Sequence, residues 1–219
     1  MIPTWVSNQQ SKGFPIQQRM TFSGSVFGLA TIILMFANTS QAIAQAVIES
    51  ETQFYSVSGT SGYEIGRSMK KNGPRSRLLR RRVWATTTRN LTYTFDTRMK
   101  SGVCRVHRHK VVMRITYRMP KVINRMTRRT SRTWSKMYQL IDIHEKVHGA
   151  NYARLARDVY KTLESFPPEK SCAVLRQTVK MEVNRLKKLD TENNRKFDRE
   201  DTRSYRAMSR LMSKRFNDS

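Results

Sequence analysis

The sequence predicts an α+β domain, with a small, mostly antiparallel sheet in its N-terminal half packed against one long helix and further C-terminal helices. Two observations carry this reading. The runs VWATTTRNLTYTFDTR (83–98) and CRVHRHKVVMRITYRMP (104–120) are rich in Thr, Val and aromatic residues and alternate with a period of two. After Pro120 the period changes, and apolar residues recur at spacings of three and four as far as Leu163.

In chain order, residues 1–46 read as a signal peptide. Lys12 and Arg19 precede an apolar run at 26–37 that is short for a membrane span, and AIAQA at 42–46 offers A-x-A spacing for cleavage after Ala44 or Ala46. An uncleaved anchor is the alternative. The expected location is periplasmic or secreted, and residues 47–219 form one domain with a charged C-terminal tail. FYSVSG from residue 54 is a short strand. Gly62 to Lys71 forms a helix with Ser61 as its cap, and Gly73–Pro74 ends it. The two alternating runs are strands joined at MKSG (99–102) by a hairpin turn. They give the sheet one basic and one apolar face. His107 and His109 share a side of this hairpin and are read as solvated surface histidines.

The three-and-four spacing predicts a helix over about 130–165, ending before Pro167–Pro168. A second helix runs from about Glu169 to Leu189, with Cys172, Leu175, Val179, Val183, Leu186 and Leu189 on one side. The charged remainder is a third helix or a partly disordered tail. Cys104 and Cys172 both lie in the exported part, where an even count reads as one disulfide closing a loop of about 68 residues, worth roughly 4 kcal/mol. Two unpaired buried thiols are the alternative.

Lys and Arg number 42 against 16 Asp and Glu, a formal charge of +26. Such a surface attracts polyanions. The basic residues are spread along the chain without an RNP signature, a cysteine-rich finger or a basic-leucine heptad, which argues against nucleic acid. An acidic peptide or protein substrate, or an anionic envelope surface, fits the charge as well. A cytosolic nucleic-acid-binding protein would have to retain residues 1–46.

The chemistry concentrates in IDIHEKVHGANY (141–152). His144 and His148 are one helical turn apart, so both imidazoles leave the same face and can reach one zinc ion. Glu145 stands about 100° round the helix, placed to act as general base on a zinc-activated water. Zinc hydrolases usually take a third protein ligand, and no histidine follows His148. The candidates are Glu182 on the next helix, Asp198 and Asp201, with Glu200 or a hairpin histidine behind them. Tyr152, Tyr205 or an arginine is a candidate oxyanion stabiliser.

The order of features, YSVSGTSGYEI at 55–65, NGP at 72–74, VWATTT at 83–88, Cys104, YRMP at 117–120, Trp134 and Tyr138 ahead of HEKVHG at 144–149, then Cys172 and Leu175, resembles a bacterial domain-of-unknown-function family described as predicted secreted zinc-dependent proteases. The resemblance covers about 54 to 205. It implies a secreted metallopeptidase-like domain with one zinc, and it supports the disulfide. In that family the C-terminal segment commonly reads Tyr-Asp-x-x-Thr-x-His-Gly, whose histidine is a natural third ligand. This chain has FDREDTRSY at 197–205, with one extra residue and Ser204 in the histidine's place. Two expectations follow: a zinc-dependent peptidase in which a carboxylate substitutes, or a catalytically inactive, basic envelope-binding protein on the same fold.

Overall fold

The computed structural model describes residues 45–76, 80–201, 204 and 206–208. The proposed signal segment up to residue 44 lies outside them, as does Tyr205. The α+β class holds, and the described residues include β1 (Val47–Val57), α1 (Gly62–Asn72), β2 (Arg75–Ser76), β3 (Arg81–Arg82), β4 (Thr86–Lys100), β5 (Val103–Val122), α2 (Arg128–Glu164) and α3 (Cys172–Glu200).

The main sheet has the order β1-β5-β4. It is mixed rather than mostly antiparallel: β4 and β5 are an antiparallel hairpin, but β1 runs parallel to β5, from Val47 opposite Val112 to Val57 opposite Val122. The reason is the intervening chain. After β1 it passes through α1 and the β2–β3 ribbon before the hairpin, and a crossover of that length lets the strand return in the same direction. At the hairpin tip Ser101 and Gly102 both have positive φ, 51° and 76°, which gives a two-residue turn matching the strand twist.

On β5, Val111, Met113, Ile115 and Met119 are buried while Lys110, Arg114 and Arg118 are exposed, the pleat alternation expected of a sheet covered on one face. The α1 start is the predicted one. Ser61 accepts from the Glu64 N–H and the Glu64 carboxylate accepts from the Ser61 N–H, a reciprocal cap. His109 is not a solvated surface histidine. Its ring lies 4.6 Å from that of Tyr160, because the strand end it occupies is covered by α2.

α2 and α3 form an antiparallel hairpin across the apolar face of the sheet. One core cluster joins Val111, Met113 and Ile115 to Leu155, Val159 and Leu163 of α2 and Leu175, Val179 and Val183 of α3. A second joins Tyr55, Val57, Ile65 and Met69 to Met119, Met137 and Ile141. On α2 the histidine motif occupies the interval between the two, so its rings are held by packing on both sides. Gly149 is what lets the helix approach so closely: a Cβ there would overlap the Tyr117 hydroxyl on β5.

Cys104 and Cys172 are joined in a disulfide with Cα atoms 5.2 Å apart, beside a backbone pair between Cys104 and Glu169. The bond ties the far strand of the hairpin to the first residue of α3. Replacing both cysteines by serine is expected to cost about 2–5 kcal/mol in urea unfolding relative to the oxidised protein. An unchanged midpoint would show that the staple constrains nothing the core does not already hold.

Candidate metal centre

α3 does not stop near Leu189 but continues eleven residues further, to Glu200. No Gly or Pro interrupts it, and its inward stripe persists with polar members: Asp190 and Asn194 are buried on the same side as Leu175, Val179 and Val183. The next turn of that stripe is Asp198. The extension therefore delivers a carboxylate to the two histidines of α2.

Three donor atoms converge. His144 Nε2 and His148 Nε2 are 3.3 Å apart, and Asp198 Oδ1 lies 3.5 Å from the first and 3.0 Å from the second. His144, His148 and Asp198 form the group of potential ligands found among the described residues. Tetrahedral ligands at about 2.0–2.1 Å from zinc stand about 3.3 Å from one another, which is the size of this triangle. Donor spacing thus fits the ion.

The tautomers fit as well. His144 Nδ1 donates to Asp201 Oδ2 at 2.7 Å, and a carboxylate can only accept. His148 Nδ1 donates to Asn194 Oδ1, also at 2.7 Å, and the amide is oriented because its Nδ2 donates to the Asp190 carbonyl and carboxylate. With both Nδ1 atoms carrying hydrogen, each Nε2 can present its lone pair to an ion. Asp190 in turn meets Arg89 Nη2 at 3.1 Å, and the Arg89 guanidinium lies over the Tyr152 ring. The Phe197 ring sits 4.9 Å and 5.2 Å from the two imidazoles and closes their apolar flank.

Glu145 is 6% exposed, and its Oε2 accepts from the Thr87 hydroxyl of β4 at 2.6 Å. Burial is the largest influence on it and raises its pKa, against the Thr87 hydrogen bond and the histidines, which lower it. A carboxylate moved up toward neutrality is a better proton acceptor at working pH. For His144 and His148, burial opposes charging, but hydrogen bonds to Asp198, with Asp201 or Asn194 added, outweigh it and raise both pKa values. Asp198 and Asp201 feel burial in the upward direction, and their histidine hydrogen bonds turn the net shift downward.

These shifts describe one interaction seen from its two ends, and they set a pH window for the metal-free protein. Raised histidines contribute stability that is complete below about pH 6.5, the unfolded value, and lost as pH rises through the folded values. The depressed aspartates contribute above about pH 4 and lose it as pH falls through theirs. Urea midpoints measured in chelator are expected to peak between these limits. Protons would compete with a metal ion for the same Nε2 atoms, so acidification would weaken any metal held there. A metal-free midpoint that rises steadily from pH 5 to 8 would contradict the pairing.

Of the predicted site residues, His144, Glu145, His148, Asp198 and Asp201 are brought together. Asp201 is a hydrogen-bond partner of the His144 ring rather than a corner of the triangle. Glu182 is not brought there: it pairs with Arg185 on the outer side of α3, at 2.6 and 2.8 Å. His107 is exposed on the β hairpin, and His109 packs on Tyr160. Ser204, in the place of the family's histidine, donates its N–H to Asp201 at 3.4 Å. Sequence reasoning missed Thr87, Arg89, Asp190 and Asn194. The four-residue spacing of Asp190, Asn194 and Asp198 was the available signal.

The centre opens into a cleft of about 1290 Å³ lined by the β2–β3 ribbon, Trp84 to Arg89, the α2 motif and the last turns of α3. Among known proteins, residues 52–205 match the model of a family described as "Bacterial protein of unknown function (DUF922)", and the chain belongs to that family. No curated protein and no solved structure matches it.

Proposed function

We propose that this family member is an exported zinc-dependent peptidase, with His144, His148 and Asp198 as ligands and Glu145 as general base. The observation that carries the reading is the triangle of donor atoms, 3.0, 3.3 and 3.5 Å on a side, with a buried carboxylate on the same helix. Zinc held there by His144, His148 and Asp198 would supply a Lewis acid and lower the pKa of a bound water toward neutrality. The chain's own groups do the rest. Asp201 and Asn194 fix the imidazoles, and Thr87 holds the Glu145 carboxylate, which would take a proton from water and return it to the leaving amine.

A polypeptide substrate is supported by the edge of the sheet. No strand pairs with the outer side of β4 among the described residues, and Thr86 to Arg89 of that strand line the cleft. A strand edge that no neighbouring strand covers suits an extended chain, and along it the Thr87 carbonyl accepts from the Tyr152 hydroxyl at 3.5 Å. The inactive envelope-binding alternative drew support from the missing histidine, and the carboxylate of Asp198 at the third corner favours the peptidase over it. Export is supported by the disulfide, which persists in an oxidising compartment. No helix of the described residues is long and apolar enough to cross a membrane.

The test is metal analysis with activity. The purified chain is expected to hold one zinc, to cleave an unstructured protein substrate, to lose both on chelation and to regain both with zinc. A folded chain that binds no zinc, or that cleaves equally well in chelator, would end this reading.

A further inference from the structure

Five arginines of the cleft, Arg75, Arg80 and Arg81 from the β2–β3 ribbon and Arg195 and Arg199 from α3, have no carboxylate partner among the described residues. All five are exposed. The acids of the same cleft are already engaged: Glu145 with Thr87, Asp190 with Arg89, Asp198 with the two histidines. Arg195 and Arg199 stand four residues apart, next to the stripe that carries Asn194 and Asp198, so they border the centre from the ligand's own helix. The cleft therefore carries uncompensated positive charge on the same walls that hold His144, His148 and Asp198.

We propose that these arginines select acidic polypeptides, with carboxylates flanking the bond presented to the centre. The inference rests on the cleft being the substrate site described above. Guanidinium forks suit side-chain carboxylates because they bind them in bidentate fashion. A cleft with low-dielectric walls also focuses the field on ligands entering it. Carboxylates on a bound peptide would complete the pairs the protein lacks, whereas a basic peptide would meet only like charge. An oligonucleotide could answer the same charge, but the edge of β4 that no described strand covers offers backbone pairing only to a polypeptide.

The experiment uses the full chain, zinc-loaded and carrying Glu145→Gln, with length-matched fluorescent peptides that are Glu-rich, neutral or Lys-rich. Anisotropy is expected to show the acidic peptide binding at least about tenfold tighter than the neutral one, and the preference to shrink with salt. Arg75→Gln/Arg81→Gln/Arg195→Gln/Arg199→Gln is expected to abolish that preference. The charge-matched control Arg125→Gln/Arg128→Gln/Arg132→Gln/Lys136→Gln, just before and at the start of α2 outside the cleft, is expected to leave it within about twofold. A smaller variant, Arg195→Glu/Arg199→Glu, is expected to shift preference toward the Lys-rich peptide and guards against misfolding of the larger one. Equal loss in the cleft and control variants, equal affinity for neutral peptide, or full displacement of acidic peptide by an oligonucleotide of equal charge would overturn the proposal. Hydrolysis by the chain with Glu145 intact separates the two readings. Charge-selective binding without cleavage defeats the peptidase and spares this inference; cleavage without charge preference does the reverse.

Discussion

Glu145→Gln is expected to lower the turnover of a peptide substrate by about 10²- to 10⁴-fold while zinc content and unfolding midpoint stay near those of the parent. The amide has the same shape and can still accept from the Thr87 hydroxyl, so the packing that buries this side chain survives. What it loses is the capacity to take a proton. Because the substitution also relieves a buried carboxylate whose charge burial disfavours, stability should hold or rise slightly. Single-turnover assays with metal analysis on the same sample make the comparison clean. Unchanged turnover would remove Glu145 from the chemistry, and a coincident loss of zinc would make it a ligand or a structural prop instead.

Asp198→Ala is expected to weaken zinc binding by at least about 100-fold, measured by competition with a chromophoric chelator at neutral pH. The figure follows from ligand arithmetic: loss of a partner that merely orients a ligand typically costs about 10–100-fold, and Asp198 supplies a corner of the triangle itself. Asp201→Ala, which removes such an orienting partner from His144, should fall within that smaller range. Glu182→Ala should have no effect on metal, since that carboxylate is committed to Arg185. Equal losses for Asp198 and Asp201 would reverse or merge the roles given to them.

The helical half of the site was legible because its signal is periodic. His144 and His148 sit four apart on a stripe that also holds Ile141 and Tyr152, and the structure keeps both rings largely buried on that face. The cap at Ser61 and the hairpin at 99–102 followed from equally local chemistry, and the cysteine pair from an even count rather than from any local pattern. The last third of α3 was not legible by the same means. There the inward positions change from Leu and Val to Asp190, Asn194 and Asp198, so hydrophobic periodicity vanishes although the helical face continues. A pattern search tuned to apolar residues ends the helix at Leu189, which the structure leaves 44% exposed. Parallel pairing of β1 was hidden for another reason: Val47 to Phe54 is exposed throughout, so the sequence there carries no face preference to set a register.

The three donors belong to opposite arms of one helix hairpin whose connecting loop, 165–171, lies at the other end. An ion shared between the arms would latch the last turns of α3 to the middle of α2, and its binding energy would be added to that of folding. At a free zinc level 100 times the dissociation constant this amounts to about 2.7 kcal/mol. The protein's lifetime against proteolysis would then track metal supply: without the ion the terminal turns of α3 would lose that tie, and the population of intact molecules would decline with them.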